Sequence, residues 1–142
     1  MSHLQRLSPS IFRAYDIRGE YPREVNAYVV ETVAAAIGSL FPPGPMIVAH
    51  DGRTSSPALA FAVLRGLASV RSRARLIDLG TTTTPMFYFF VERLKAAGGI
   101  MVTASHNPKT MNGLKVVGAH AVMIPGTELA ALVHKKSHAQ NA

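Results

Sequence analysis

Met101-Val102-Thr103-Ala104-Ser105-His106-Asn107-Pro108-Lys109-Thr110-Met111-Asn112-Gly113-Leu114-Lys115 is the stretch on which the reading of this chain turns. With Gly99 and Ile100 before it, an apolar run over 99–103 stops abruptly in Ser-His-Asn-Pro, the pattern of a buried strand that delivers polar side chains just past its carboxyl end. Open α/β sheets bind ligands at that edge. Ser105 stands on the turn as a candidate covalent carrier. Near it in sequence are an imidazole (His106), an amide (Asn107) and two ammonium groups (Lys109 and Lys115). Pro108 restricts Asn107 to extended backbone and stiffens the turn. These surroundings suit an anionic group held on serine. Ser, Asn, Pro and Gly also gather in turns for conformational reasons, so composition alone leaves a purely structural loop open.

Working outward, the segment 24–40 places Val25, Val29, Val33, Ile37 and Leu40 at three- and four-residue steps, which predicts an amphipathic helix packed on a sheet. Phe41-Pro42-Pro43-Gly44-Pro45 stops it, and 46–49 reads as a short buried strand leading into His50-Asp51-Gly52-Arg53. Ser56 is the expected N-cap, and Pro57 the first helical residue, of a helix reaching Val70. A strand at 74–79 ends at Gly80 and the threonine run. Thr84-Pro85 then opens a helix to Ala97, with Gly98 as its stop. A short strand at 11–13 precedes these elements. After the serine loop, 113–117 and 121–124 form a hairpin or paired strands, and Thr127 caps a last helix ending near Ser137.

This alternation predicts an α/β chain, a three-layer α/β/α domain with a largely parallel sheet. We expect one domain over 1–137 and a frayed tail over 138–142, without internal repeats or a long linker. Nearly half of the 142 residues are hydrophobic and few are charged, which excludes disorder. No run approaches the roughly 18 apolar residues of a membrane span, and the first residues lack a secretory signal, so a cytoplasmic protein without membrane association is expected. The absence of cysteine removes disulfides, thiolate nucleophiles and Cys-based zinc sites.

Fifteen Lys and Arg against eight Asp and Glu give a formal charge of +7, which would attract phosphates, nucleic acid or an acidic surface. Arg65, Arg71, Arg73 and Arg75 gather around a helix end and the next strand, where the helix dipole gives them an ordinary structural use. Aromatic residues do not interleave with the basic ones, and no nucleic-acid-binding motif appears, so a nucleic-acid partner is not expected.

Thr103-Ala104-Ser105-His106-Asn107-Pro108 followed by Asn112-Gly113-Leu114-Lys115 resembles the phosphoserine loop of the α-D-phosphohexomutases, a family that includes phosphoglucomutase and phosphomannomutase. Ile11-Phe12-Arg13-Ala14-Tyr15-Asp16-Ile17-Arg18-Gly19 resembles the amino-terminal signature of its phosphomannomutase/phosphoglucomutase branch. His50-Asp51-Gly52-Arg53-Thr54-Ser55-Ser56-Pro57 resembles its Asp-Gly-Arg-x-Ser-Ser segment. Three motifs occur in the family's order and approximate spacing. The fold implied is a mixed, mostly parallel four-stranded sheet whose last strand is antiparallel.

The chemistry implied is transfer of a phosphoryl group from phospho-Ser105 to a hexose phosphate, giving a bisphosphorylated sugar that turns over and returns the other phosphoryl to Ser105. The net result interconverts hexose 1-phosphate and hexose 6-phosphate. A neutral hydroxyl is a weak nucleophile, so such a carrier needs a charged environment more than a strong base. By the resemblance, Ser105, Lys115 and Arg18 are the catalytic candidates, with Lys115 in proton transfer or charge stabilisation. Tyr15, His106 and Asn107 line the phosphate, and Mg2+ binds Ser105 through its phosphate. Hexose 1,6-bisphosphate is the implied activator. On the residues alone, Lys115 reads equally as a solvated strand lysine and Arg18 as a surface arginine. Arg53 is read as structural, pairing with Asp51 to hold the turn beside the site.

The resemblance spans nearly the whole chain but only the first of the family's four domains. The family's Asp-x-Asp-x-Asp metal loop, sugar-reading loop and distal phosphate site belong to the others. The expected partners are therefore hexose phosphates and the other domains of the same enzyme, with self-association through surfaces those domains cover. Full mutase activity is not expected of the chain alone, because one phosphate supplies too few oxygen ligands for magnesium. A non-catalytic phosphate- or partner-binding domain reusing this fold is the alternative.

Other chemistries fail on spacing. Ser105 lacks a Gly-x-Ser-x-Gly elbow, and Gly98-Gly99 belongs to neither a dinucleotide fingerprint nor a P-loop. His3, His50, His120, His134 and His138 show no metal-ligand spacing with carboxylates. Phe87, Tyr88, Phe89 and Phe90 are consecutive on a helix and cannot share one face, so core use is expected, with one or two at a domain interface.

Overall fold

The computed structural model describes residues 7–139. Its strands are β1 (Ile17–Glu20), β2 (Met46–His50), β3 (Leu76–Thr81), β4 (Gly98–Val102) and β5 (Met111–Gly118). Its helices are α1 (Ala27–Gly38), α2 (Ser56–Val70), α3 (Thr84–Arg93) and α4 (Gly126–Ala139). The sheet has five strands rather than the expected four, in the order β1-β5-β4-β2-β3. Pairing is parallel for β2 with β3 and with β4, and antiparallel for β5 with both β4 and β1. The class and the antiparallel last strand agree with the sequence reading.

The added strand is β1. Residues 9–11 form a 3-10 turn instead of the expected strand, and the chain enters the sheet six residues later. β1 alternates Ile17 and Gly19 inward with Arg18 and Glu20 outward, so its only apolar side chain is Ile17. A four-residue strand with one hydrophobic residue has almost no local signature. Pairing with β5, Ile17 opposite Leu114 and Arg18 opposite Gly113, makes it a strand.

Side chains of α1, α2 and α4 fill one face of the sheet, where Val33, Ile37, Leu59, Val63 and Leu129 meet Val48, Ile100 and Leu114. Phe87 and Val91 of α3 cover the other face, over Ile47, Ala49, Met101 and Val117. Of the four consecutive aromatics, Phe87 is fully buried while Phe89 is 54% exposed, as their helical spacing requires. The α1–α2 contact is very close, because a Cβ at Gly66 would overlap the Glu31 carbonyl oxygen and lie 2.8 Å from the Ala34 Cβ. Gly66→Ala is therefore expected to lower stability by about 1–3 kcal/mol, read as a shift of the urea midpoint at unchanged slope.

Several boundaries move for local reasons. Asn26 is extended and its side chain accepts the Val29 N–H at 3.0 Å, so α1 starts at Ala27 rather than 24. α2 begins at Ser56 itself, whose hydroxyl goes elsewhere than the expected cap. α3 ends at Arg93, with Lys95 in the left-handed region, and Gly98 lies in β4 where the Phe41 ring occupies the space of a side chain. At 121–124 only a single bridge, Val117 to Met123, replaces the second hairpin strand. α4 continues two residues past the expected end, and the last three residues of the expected tail lie outside the described residues. No helix among the described residues is long and apolar enough to cross a membrane.

Candidate active site at the carboxyl edge of the sheet

Parallel β2 and β4 are neighbours, so the two loops leaving their carboxyl ends, at 51–55 and 103–110, start side by side. The Asp51 N–H donates to the Val102 carbonyl at 3.0 Å and fixes that adjacency. Asp51 is the hub. One carboxylate oxygen accepts the Ser56 hydroxyl at 2.5 Å and the Arg53 N–H at 3.1 Å, while the other accepts the Thr103 hydroxyl at 2.9 Å and Arg53 Nε at 3.1 Å. Burial pushes this carboxyl up, but the donors from Ser56, Arg53 and Thr103 and the Arg53 charge outweigh it and hold it below the usual carboxylate value.

A pH dependence follows from that direction. A carboxyl held lower in the folded chain contributes stability in full above its unfolded value and loses it as pH falls through the lowered folded value. Below the ordinary carboxylate range, wild-type stability is expected to converge on that of Asp51→Asn, checked by urea unfolding of both proteins along a pH series.

Across the gap, Arg53 reaches into the serine loop. Nη1 donates to the carbonyls of Pro108 (2.7 Å) and Met111 (3.2 Å), and Nη2 to those of Ser105 (3.0 Å) and Asn107 (2.8 Å). The expected Asp51–Arg53 pair is present, and its reach extends well beyond the turn. Behind it Asn112, fully buried, donates to the hydroxyls of Ser55 (2.8 Å) and Ser56 (3.0 Å) and accepts the Gly113 N–H at 2.9 Å. Sequence reading missed Thr103, Ser56 and Asn112 as parts of this network. No local signal marks a threonine at a strand end as a partner of an aspartate 52 residues away.

Ser105 is exposed and lies in the left-handed region at φ 53°, and its N–H donates to Thr103 Oγ1 at 3.0 Å. That conformation is uncommon for a residue with a Cβ and turns the chain sharply at the serine. His106 is exposed beside it. The Asn107 side-chain amide donates to the Ala104 carbonyl at 2.7 Å, so that donor serves the turn. Arg18 is half-buried on β1, 3.6 Å from Asp16. Thr103 N–H bonds the Gly113 carbonyl and Gly113 pairs Arg18, so Arg18 on β1, Gly113 on β5 and Thr103 just past β4 form one row about 10 Å wide. Lys115, two residues from Gly113 on β5, shares the sheet face of Arg18. Tyr15, 67% exposed, precedes β1. The fold thus puts Arg18 and Lys115 on one sheet face, and the loop that carries Ser105 leaves the carboxyl end of β4, the strand next to β5.

Among the described residues no group of three or more His, Asp or Glu is placed to hold a metal ion. A phosphate on Ser105 would be one oxygen-rich ligand for Mg2+, which favours near-octahedral oxygen coordination. The described residues do not complete such a site.

A family model described as phosphoglucomutase/phosphomannomutase, alpha/beta/alpha domain I, matches residues 9–141. Proteins named phosphohexose mutases from Xanthomonas campestris pv. campestris are 44% identical over 110 residues, which is 78% of this chain and 24% of theirs. A phosphomannomutase of Escherichia coli is 40% identical over 115 residues, 81% of this chain and 25% of that protein. The crystal structure of a phosphoglucomutase/phosphomannomutase family protein from Burkholderia thailandensis superposes with a TM-score of 0.82 at 32% identity, covering 94% of this chain and 31% of that one. This chain therefore spans about a quarter of the length of these named mutases.

Proposed function

The chain belongs to the phosphoglucomutase/phosphomannomutase family through its α/β/α domain I, and on that premise we propose that it carries the phosphoserine of a hexose-phosphate mutase, with Ser105 as the carrier. One observation supports this best. Ser105 is an exposed hydroxyl on a left-handed residue at the carboxyl edge of the sheet, in a turn whose carbonyls are tied to one guanidinium.

In the proposed reaction the P–Oγ bond of phospho-Ser105 breaks as a P–O bond forms to a hydroxyl of a hexose phosphate. The hydroxyl gives up its proton to a base and Ser105 Oγ takes up a proton, with Lys115 our candidate for this proton transfer or for stabilising the charge that develops. After the bisphosphorylated hexose turns over, its other phosphoryl returns to Ser105 by the reverse exchange and the isomeric monophosphate leaves. Arg18 offers the planar fork suited to phosphate oxygens, and Tyr15, His106 and Asn107 line the same group. Magnesium would neutralise phosphate charge. The described residues do not supply its remaining ligands. Hexose 1,6-bisphosphate would re-prime a serine that has lost its phosphate. The partners in this reading are hexose phosphates and the other domains of such an enzyme, and a cytoplasmic location goes with it. Assayed as these 142 residues alone, the domain is expected not to turn over sugar phosphates and to self-associate through surfaces that other domains would cover. A single monodisperse monomer in solution would count against the second expectation.

The experiment is incubation of the chain with glucose 1,6-bisphosphate and Mg2+, followed by intact-mass measurement and mapping of the phosphorylated residue. One phosphoryl group on Ser105 supports the reading. No uptake, or uptake at another residue, overturns it for this chain.

A further inference from the structure

Two arginines of this domain spend their guanidinium groups on backbone carbonyls, at opposite edges of the sheet. Arg71, at the end of α2, donates to the carbonyls of Gly38 (3.1 Å), Phe41 (2.9 Å), Pro42 (2.8 Å) and Gly44 (3.1 Å) and ties down the α1–β2 connection. Arg53 does the same at the serine loop and goes further. Its Nε is on Asp51, and its Nη atoms are on the carbonyls of Ser105, Asn107, Pro108 and Met111, so all five side-chain N–H groups have partners.

We propose that Arg53 is the positioning residue of the serine carrier, holding the loop carbonyls so that Ser105 stays in its left-handed conformation with the hydroxyl outside. The proposal deepens the phosphoserine reading and takes its chemical meaning from it. Converging carbonyl dipoles repel one another, and a residue with a Cβ avoids a positive φ, so this turn would relax without a cation at its centre. The planar fork of arginine reaches four carbonyls at once, while a lysine ammonium offers three donors from a single point. Asp51 anchors the fork from behind, itself held by Thr103 and Ser56, so the guanidinium plane is fixed against β2 and β4. Saturation also limits the role. With every N–H engaged, Arg53 has no donor left for a phosphate and acts only through Ser105.

Arg71 supplies the control, since Arg71→Lys breaks a comparable set of bonds away from the loop. Arg53→Lys, Arg53→Gln and Arg71→Lys are each compared with wild type in two measurements. Backbone NMR shifts and couplings at Ser105 report the left-handed conformation, and initial rates of phosphoryl uptake from glucose 1,6-bisphosphate report the carrier. In both Arg53 variants the left-handed signature at Ser105 is expected to be lost, while Ile100 and Val116 keep their wild-type signals. Uptake is expected to slow about 10²-fold, the scale of a misplaced reacting group. Arg71→Lys is expected to lower the unfolding midpoint and leave both readouts at wild-type values. Arg53 variants that keep the signature and the rate, or an Arg71 variant that disturbs Ser105 equally, would overturn the proposal. The NMR signature needs no phosphate. A wild-type chain that takes up none would remove the phosphoserine reading and leave the role of Arg53 to be decided by the signature alone.

Discussion

Replacing Ser105 with alanine is expected to abolish phosphoryl uptake completely while leaving the fold intact. The hydroxyl is the group on this turn proposed to bond phosphorus, and the neighbouring Thr103 Oγ1 does not replace it, because it is engaged with Asp51 and the Ser105 N–H. Ser and Ala carry the same Cβ, so the left-handed strain is unchanged and stability should stay within about 0.5 kcal/mol of wild type. Ser105→Gly separates conformation from chemistry. Removing the Cβ relieves about 1 kcal/mol of left-handed strain, so this variant should be slightly more stable and equally inactive. Intact-mass measurement and urea unfolding read the two effects, and uptake persisting in either variant would remove Ser105 from the role.

The second large effect is at Asp51. Alanine there leaves the Ser56 and Thr103 hydroxyls, the Arg53 N–H and the Arg53 guanidinium without their shared acceptor. Breaking one side of a largely enclosed ion pair, with a charge and several donors left over, costs about 3 kcal/mol. Asp51→Asn keeps the shape and one accepting oxygen and should lose less than alanine, though more than nothing, since its amide cannot accept on both sides. Equilibrium urea unfolding orders the three proteins as wild type, Asp51→Asn, Asp51→Ala. Equal stability for all three would show that the network contributes nothing. In Asp51→Ala the loop at 103–110 should also exchange its amide protons faster than β2 and β4 do, because its anchor acts through Arg53.

Much of this architecture was legible in the chain. The apolar steps of 24–40, Pro57 and Pro85 near helix starts, and the run at 99–103 all act within a few residues, and each produced an element close to its expected place. The errors share one cause. β1 carries one hydrophobic residue and exists through its pairing with β5, Gly98 stands in a strand because a distant Phe41 ring fills its side, and the Ser56 hydroxyl left its expected cap for Asp51. In each case a tertiary contact outweighed a local preference worth a fraction of a kcal/mol to about 1 kcal/mol.

The candidate site divides along the same line. By itself the sequence determined the α/β class, the strand that ends in Ser105 and the resemblance that singles out Arg18 and Lys115, since hydrophobic period, turn residues and motif order are properties of neighbouring positions. Only the tertiary structure decided that Arg53 would meet carbonyls 52 to 58 residues away, and that Arg18, Gly113 and Thr103 would share one row at the edge of the sheet. Those meetings depend on strand order and register. Register is set when buried faces and backbone hydrogen bonds across the whole sheet are satisfied together, which no single segment of the chain can do.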